Sequence, residues 1–276
     1  MVAARVRVRL QEKHVRLAAR KPTAPGAFDK DKYPLPDVQT LLDDLQGATV
    51  FSTADALWGF WQVPMEQDDI EKTAITTHFG AYEWLVMPMG LSNSPSTWQR
   101  MMTQYLGHLP FCRVFVDDFM IFSDTPAAHV GHVRAVLAAC RQHKVYLKWS
   151  KLKLCMRAVR FLGHVCSKEG CRPQRDKVAS VRDWPELETV THVRQFLGIC
   201  GFYRRYIQSF AHISHPLTRL TKMGVPWTWG KEEKGAFQRL KTALISALIL
   251  ALPDQRSAAD GSRPFCVQTD ASARSH

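Results

Sequence analysis

Apolar positions change their spacing several times along the chain, and each change marks an element. Val38, Leu41, Leu42 and Leu45 recur at helical spacing, which predicts a helix over residues 36–45 that Gly47 terminates. Ala48-Thr49-Val50-Phe51-Ser52 is β-branched and aromatic, and predicts a strand ending at Asp55. A second extended stretch over 82–87 leads into Pro88-Met89-Gly90. Ser94 as N-cap, Pro95 as first helical residue, and Trp98, Met101, Met102 and Tyr105 then predict a helix. Two apolar runs, 111–116 and 119–123, enclose the polar pair Asp117-Asp118 and predict a β-hairpin.

The second half is mainly helical. Val130, Val133, Val136 and Leu137 mark a helix over 126–143. A short strand over 161–165 precedes a turn at Lys168-Glu169-Gly170. Val193, Phe196, Leu197, Cys200, Tyr203, Ile207 and Phe210 predict one long amphipathic helix over 190–210, with Arg194, Arg204 and Arg205 on its other face. Another helix is expected over 231–250, and a final strand over 265–270.

Composition narrows the class. In 276 residues, 46% are apolar, and no apolar run approaches the roughly 20 residues that span a bilayer, so a membrane partner is not expected. No secretory leader opens the chain, and seven cysteines stand without a CxxC, which together predict a reduced, intracellular protein of the cytoplasm or nucleus. The Arg-rich, acid-poor start also fits a mitochondrial transit peptide, a pattern that many basic tails share. The net charge of +12 points to a polyanionic partner, but it is unevenly placed. Residues 1–30 hold 8 basic and 2 acidic residues, 31–125 hold 4 and 13, and 126–276 hold 25 and 10. An acidic block between two basic ones suits divalent cations, which carboxylates bind, although solvated faces alone also produce such unevenness.

Asp117-Asp118 is the strongest local anomaly. Flanking strands this apolar should be buried, and adjacent carboxylates there repel each other and resist desolvation. Because side chains alternate along an extended chain, a metal site at the pair needs a carboxylate from elsewhere, and Asp55 at the end of the other strand is the natural candidate. Three such carboxylates would hold two Mg²⁺ ions for phosphoryl transfer. An Asp-Asp turn exposed to water is the competing reading.

The ordered segments Tyr33-Pro34-Leu35-Pro36, Phe51 to Gln62, Met87 to Pro95, Phe115-Val116-Asp117-Asp118 and Phe161-Leu162-Gly163-His164 resemble those of reverse transcriptases, most closely those of gypsy-type long-terminal-repeat retrotransposons. The likeness continues through Phe196-Leu197-Gly198, Phe202 to Ile207 and Trp227-Thr228-Trp229 to Thr269-Asp270-Ala271-Ser272, and so covers about residues 30–276. It implies an α+β fold: a right-hand polymerase palm with partial fingers over 31–166, a helical thumb and connection over 167–252, and a truncated ribonuclease H-like start over 263–276. Residues 1–30 are expected to be a loose basic tail.

The resemblance also implies roles. Asp55, Asp117 and Asp118 match the catalytic carboxylates that hold two Mg²⁺, with Mn²⁺ as an alternative. Phe115 stands where the family usually has Tyr. Phe60 matches the aromatic residue beneath the incoming sugar; Met89 and Gly90, with Gln99 nearby, match the nucleotide pocket. Phe161, Leu162, Gly163 and His164 match the primer grip, and Arg204 and Arg205 fall where duplex phosphates are tracked. Asp270 matches the first metal ligand of a ribonuclease H domain, whose remaining carboxylates are absent, so that activity is not expected of this chain. The family's triphosphate-binding Lys and Arg before the YPLP motif have no counterpart in register; Arg16, Arg20 and Lys21 are basic but carry no assigned role.

The expected reaction is RNA-templated DNA synthesis from deoxynucleoside triphosphates on an RNA or DNA template–primer duplex. The alternative is a catalytically inactive element fragment that binds nucleic acid only; no feature identifies a protein partner. His129 and His132, and the loose set Cys155, His164, Cys166 and Cys171, lack the paired spacing of zinc sites. Trp58, Trp61, Trp84 and Trp98 are expected mostly in the core.

Overall fold

The structure, a computed structural model, describes residues 31–246, the backbone of 15–17, and residues 250, 252, 258 and 262. The chain divides into two compact units, Met1–Leu41 with Ala48–Leu162, and Leu42–Gly47 with Gly163–His276.

In chain order the elements up to the second unit's main segment are β1 (Val15–Leu17), α1 (Val38–Asp43), β2 (Val50–Asp55), β3 (Ile75–Thr77), β4 (Gly80–Trp84), α2 (Ser94–Leu106), β5 (Cys112–Phe115), β6 (Asp118–Ser123), α3 (Pro126–Gln142), β7 (Lys153–Met156) and β8 (Ala158–Phe161). The central sheet is antiparallel in the order β5-β6-β2-β7. Its register puts Ala54 opposite Phe119 and Phe119 opposite Val114, so these side chains share one face with Ile121 and Cys112. Helices α2 and α3 cover that face with Trp98, Met102, Leu106, Val136 and Cys140. Helix α3 starts as its sequence dictates, whereas the Ser94 cap expected for α2 is corrected. Pro126 occupies the first turn of α3, and Thr125 caps it by accepting from the Ala128 N–H at 3.3 Å. Ser94 is already helical, and its hydroxyl donates to the Pro88 carbonyl at 3.0 Å instead of capping.

The expected loose tail is corrected in one place. Val15–Leu17 is a strand, paired antiparallel with β4 (Arg16 opposite Glu83), which lies between β1 and β3. Its apolar-basic-apolar alternation is the strand period, too short to stand out within an Arg-rich segment.

The second unit holds β9 (His164–Ser167), β10 (Gly170–Pro173), α4 (Arg175–Arg182), α5 (Val190–Phe202), α6 (Phe210–Arg219) and α7 (Lys231–Ile245). Its core joins Val181, Val193, Phe196, Cys200, Leu217, Phe237, Leu240 and Leu244 from the four helices. The single helix expected over 190–210 is broken. A 3-10 turn at Arg204–Tyr206 and a left-handed Ser209 (φ 54°) separate α5 from α6. Tyr203 and Ile207 remain buried across the break. A short 3-10 turn keeps neighbours at i+3 on one side, so the apolar period runs through it without a signal. The strand expected over 161–165 is likewise split, with Leu162 and Gly163 both at positive φ between β8 and β9.

Candidate active site

Asp55 ends β2 and Asp118 begins β6, and the antiparallel register sets them directly opposite each other. Val116 and Asp117 form the two-residue loop of the β5–β6 hairpin, whose closing pair is Phe115 and Asp118. Val116 has φ 51°, a left-handed conformation that a β-branched residue adopts only under constraint. The constraint comes from α2. Gln99 Nε2 donates to the Val114 carbonyl at 2.9 Å, Gln99 Oε1 accepts from the Val116 N–H at 2.7 Å, and Trp98 Nε1 donates to the Val116 carbonyl at 2.9 Å. Two adjacent residues of one helix thus fix the loop that carries Asp117.

The carboxylates do not all converge. Asp117 Oδ1 is buried without a hydrogen-bond partner among the described residues and lies against Gly59, where an added Cβ would come within 2.3 Å of it. Accordingly, no three His, Cys, Asp or Glu side chains among the described residues are gathered closely enough to hold a metal ion. Asp55 and Asp118 do meet, and a lysine joins them: Lys151 Nζ lies 2.8 Å from Asp55 Oδ2. The backbone beside β2 places that lysine, since the Lys148 N–H donates to the Asp55 carbonyl at 2.8 Å and Leu147 bridges Ala56. Asp55, Asp118, Lys151, Lys153, Arg160 and Phe161 are among the residues lining a groove of about 320 Å³.

The electrostatics are those of crowded anions. Desolvation, then the Asp55 charge, raises the Asp117 carboxyl above the usual carboxylate range. The same two causes, with a hydrogen bond to Asp55, raise Asp118. Lys151 is shifted upward by its bond to Asp55 first and by the Asp118 and Asp117 charges after it. A buried, unpartnered carboxylate oxygen and a facing carboxylate pair that draws in an ammonium both fit a cation at this place.

Other expected site residues fall as follows. Phe60 sits in the 3-10 turn Gly59–Gln62, partly buried against the first unit's core. Met89 is exposed, and Gly90 adopts φ +96° with open space where a side chain would be. Gln99 is a correction to the nucleotide-pocket expectation, because it is 2% exposed and both ends of its amide are bound to the hairpin. In the expected primer grip, Phe161 is buried in the first unit. His164, in the second, is fully buried among Phe202, Tyr203 and Tyr206, with ring centroids 5.3–5.7 Å away. The His164 ring is therefore a packing group, while Phe161 also lines the groove beside Asp55 and Asp118. Gly163 meets the same aromatic group, its carbonyl accepting from Tyr203 Oη at 2.9 Å. Arg204 is exposed, whereas Arg205 is ion-paired to Asp43 at 2.8 Å. Asp270 lies outside the described residues.

Lys151 and the Trp98–Gln99 clamp are what sequence reasoning missed. The dense run Lys148, Lys151, Lys153 was the available signal for the first; nothing in the sequence marks the second. Of the four tryptophans, Trp98 is in the core, but Trp58 is 57% exposed. His129 is fully buried, bonded at 2.7 Å to Ser52 on one ring nitrogen and to Ser123 on the other, and Ser123 also reaches His132 at 2.7 Å.

A hairpin of adjacent aspartates beside a third on the neighbouring strand, backed by two helices, is the palm of a right-hand polymerase fold. The structure resembles a foamy viral protease–reverse transcriptase solved in complex with RNA/DNA hybrid, with a TM-score of 0.72 at 23% identity, covering 80% of this chain and 31% of that one. At that identity the likeness shows the fold alone. The family described as reverse transcriptase (RNA-dependent DNA polymerase) matches residues 7–166, and the chain belongs to it. The match reaches back into the basic segment where no fingers motif was recognised. Among curated proteins, the chain is 33% identical over 244 residues to the retrovirus-related Pol polyprotein from transposon 412 of Drosophila melanogaster. It is also 33% identical over 257 residues to that from transposon gypsy of the same organism. Each covers 88% of this chain, which bears out the resemblance to gypsy-type elements; the chain spans only 19% and 24% of those relatives' own lengths. No helix among the described residues is long and apolar enough to cross a membrane.

Proposed function

We propose that this chain carries the polymerase core of a retrotransposon reverse transcriptase and performs RNA-templated DNA synthesis. The reaction is attack of a primer 3′-hydroxyl on the α-phosphate of a deoxynucleoside triphosphate, with pyrophosphate leaving. The observation that carries the reading is the facing pair Asp55 and Asp118, with one oxygen of the half-buried Asp117, Oδ1, buried and without a hydrogen-bond partner among the described residues on the adjoining loop. These three carboxylates would hold two Mg²⁺, which supply activation of the hydroxyl and stabilisation of the leaving oxygen when bound. Because the three are not gathered in this structure, Asp117 would have to leave its place against Gly59 to join the other two.

The chain's own residues do the rest. Trp98 and Gln99 hold the aspartate loop in its strained form, so the backbone that carries Asp117 is fixed before substrate arrives. Lys151, Lys153 and Arg160 give the groove positive charge beside the carboxylates, suited to a polyphosphate. Phe60 is the candidate for rejecting a 2′-hydroxyl by bulk, and the Met89-Gly90 loop for lining the nucleotide pocket. Arg204, and the backbone at Leu162-Gly163, are candidates for duplex and primer contact. Primer extension on an RNA template by the purified chain tests the proposal. Extension that requires a divalent cation and is lost in Asp118→Asn is expected. No extension, or equal extension by Asp118→Asn, overturns it.

A further inference from the structure

Cys166 and Cys171 are the two members of one cross-strand pair in the β9–β10 hairpin. The register defines their geometry. Lys168-Glu169 is the two-residue loop, Ser167 and Gly170 close it, and the hydrogen-bonded and non-hydrogen-bonded pairs alternate from there. Cys166–Cys171 is the first non-hydrogen-bonded pair and His164–Pro173 the next, where the missing Pro173 N–H costs no ladder bond. The outward bonds of Cys171 agree, since its N–H and C=O pair with Leu250 at 3.1 and 2.9 Å and not with β9. In such pairs the Cα atoms approach to about 4.5 Å and side chains lie closer than elsewhere in a sheet. That separation is inside the range a disulfide spans, about 4.4–6.8 Å. The sulfurs are already 3.2 Å apart, in contact, and the residues are 2% exposed or less.

We propose that Cys166 and Cys171 are a built oxidation site that closes to an intramolecular disulfide with hydrogen peroxide. Burial excludes bulky charged disulfides, so the oxidant class is a small neutral peroxide. One sulfur attacks a peroxide oxygen as its proton passes to the departing one, the S–H and O–O bonds break, and a sulfenic acid and one water form. The second sulfur then attacks the sulfenic sulfur: the S–S bond forms, the S–O bond breaks, and the departing oxygen leaves as water with the thiol proton. Overall, two thiols lose two electrons and one peroxide becomes two waters. No backbone shift is required, because the hairpin already holds the pair in register. The product pins the strand that begins at His164, and dithiol reductant reopens it.

The test uses the full chain with Cys155→Ser, which removes an exposed thiol and leaves the pair intact. After peroxide treatment, free thiols are alkylated under denaturing conditions and the chain is digested with trypsin without reduction. Cleavage after Lys168 separates the two cysteines into peptides 161–168 and 169–175, which stay joined only through a disulfide. The expected result is the linked pair, 2 Da lighter than the sum of its reduced halves, lost with dithiothreitol and absent in Cys171→Ser. Alkylation of both cysteines at peroxide doses that sulfinate free cysteine peptide, in a chain still folded by circular dichroism, overturns the proposal. So does preferential pairing of either residue with another cysteine.

Discussion

Gln99→Met removes the side-chain amide that braces the aspartate loop while nearly conserving volume, so its effect isolates two hydrogen bonds. The Val114 carbonyl belongs to a non-hydrogen-bonded pair of the hairpin and points away from β6, so Gln99 Nε2 is its partner at 2.9 Å; the Val116 N–H is served at 2.7 Å by Oε1. Each such bond contributes about 0.5–1.5 kcal/mol net, and a buried peptide group left unsatisfied costs about 1–3 kcal/mol. Allowing for partial relaxation, the substitution should destabilise the chain by about 2–4 kcal/mol. At about 2–4 °C per kcal/mol for a chain of this order, the midpoint of thermal unfolding falls by roughly 4–16 °C. Val116, at φ 51°, then loses half of its restraint, since only Trp98 still holds it, and the loop relaxes from a conformation that itself costs about 1–3 kcal/mol. Asp117 moves with it, so the rate of single-nucleotide incorporation falls more than the apparent affinity for nucleotide. The assays are differential scanning calorimetry of the nucleotide-free chain and rapid-quench incorporation at varied nucleotide concentration. An unchanged unfolding midpoint together with a raised KM for nucleotide would refute the reasoning, because it would make Gln99 a substrate contact and not a brace.

Asp117→Asn should raise the unfolding midpoint in EDTA, because it removes a charge that desolvation and Asp55 both disfavour, and lower primer extension by about a hundredfold or more, the upper end of what even outer-shell changes at metal sites cost. A midpoint that drops in EDTA counts against this account of a half-buried, crowded charge. Lys151→Met should tighten Mg²⁺ binding by up to about fivefold, read from the Mg²⁺ dependence of the unfolding midpoint, since an exposed ion pair of about 0.2–1 kcal/mol no longer competes for Asp55. Weaker binding in that variant would show that the lysine does not occupy the cation's place. His129 is pushed below the usual imidazole range by burial first and His132 second, so the unfolded chain takes up a proton that the folded chain refuses. Stability is therefore fully present above about pH 6.5 and declines as pH falls below it, by up to about 1.4 kcal/mol per unit, a slope that His129→Gln should flatten in calorimetry from pH 7.5 to 5.

Elements whose period matches their burial were legible in the sequence. The hairpin at 111–123, the strand ending at Asp55 and the helices α2, α3 and α7 show on one face the alternation or the 3.6-residue repeat that packing requires, and their observed bounds lie within a few residues of the expected ones. What was illegible has two physical sources. A 3-10 turn such as Arg204–Tyr206 preserves the apolar repeat while changing the direction of the chain, so the break before α6 left no trace in the pattern. A side chain's partner also depends on long-range register. Gln99 looks like any polar residue on a helix until α2 lies against β5, when the unpaired side of that strand becomes its partner. Motif likeness has the same limit at His164, where it marks the position but not that the ring is enclosed by three aromatic residues.

Segment charge, too, changes meaning once the chain folds. The acidic block over 31–125 and the basic block after it are separate along the sequence, which invites a reading of one region for cations and another for nucleic acid. In the first unit they meet. Asp55 and Asp118 come from the acidic block, and Lys151, Lys153 and Arg160 from the basic one, and all five line the same groove. The field there is not that of a bare carboxylate cluster. On the proposed function, a divalent cation entering must displace or share the Lys151 ammonium, which lies 2.8 Å from Asp55 Oδ2, and a displaced lysine becomes free to pair with a polyphosphate. Cation and phosphate binding are then coupled through one side chain. The coupling predicts that inorganic pyrophosphate and Mg²⁺ each tighten the other's binding in the wild-type chain and do so less in Lys151→Met, a difference isothermal titration can read. Equal coupling in both would place the link elsewhere.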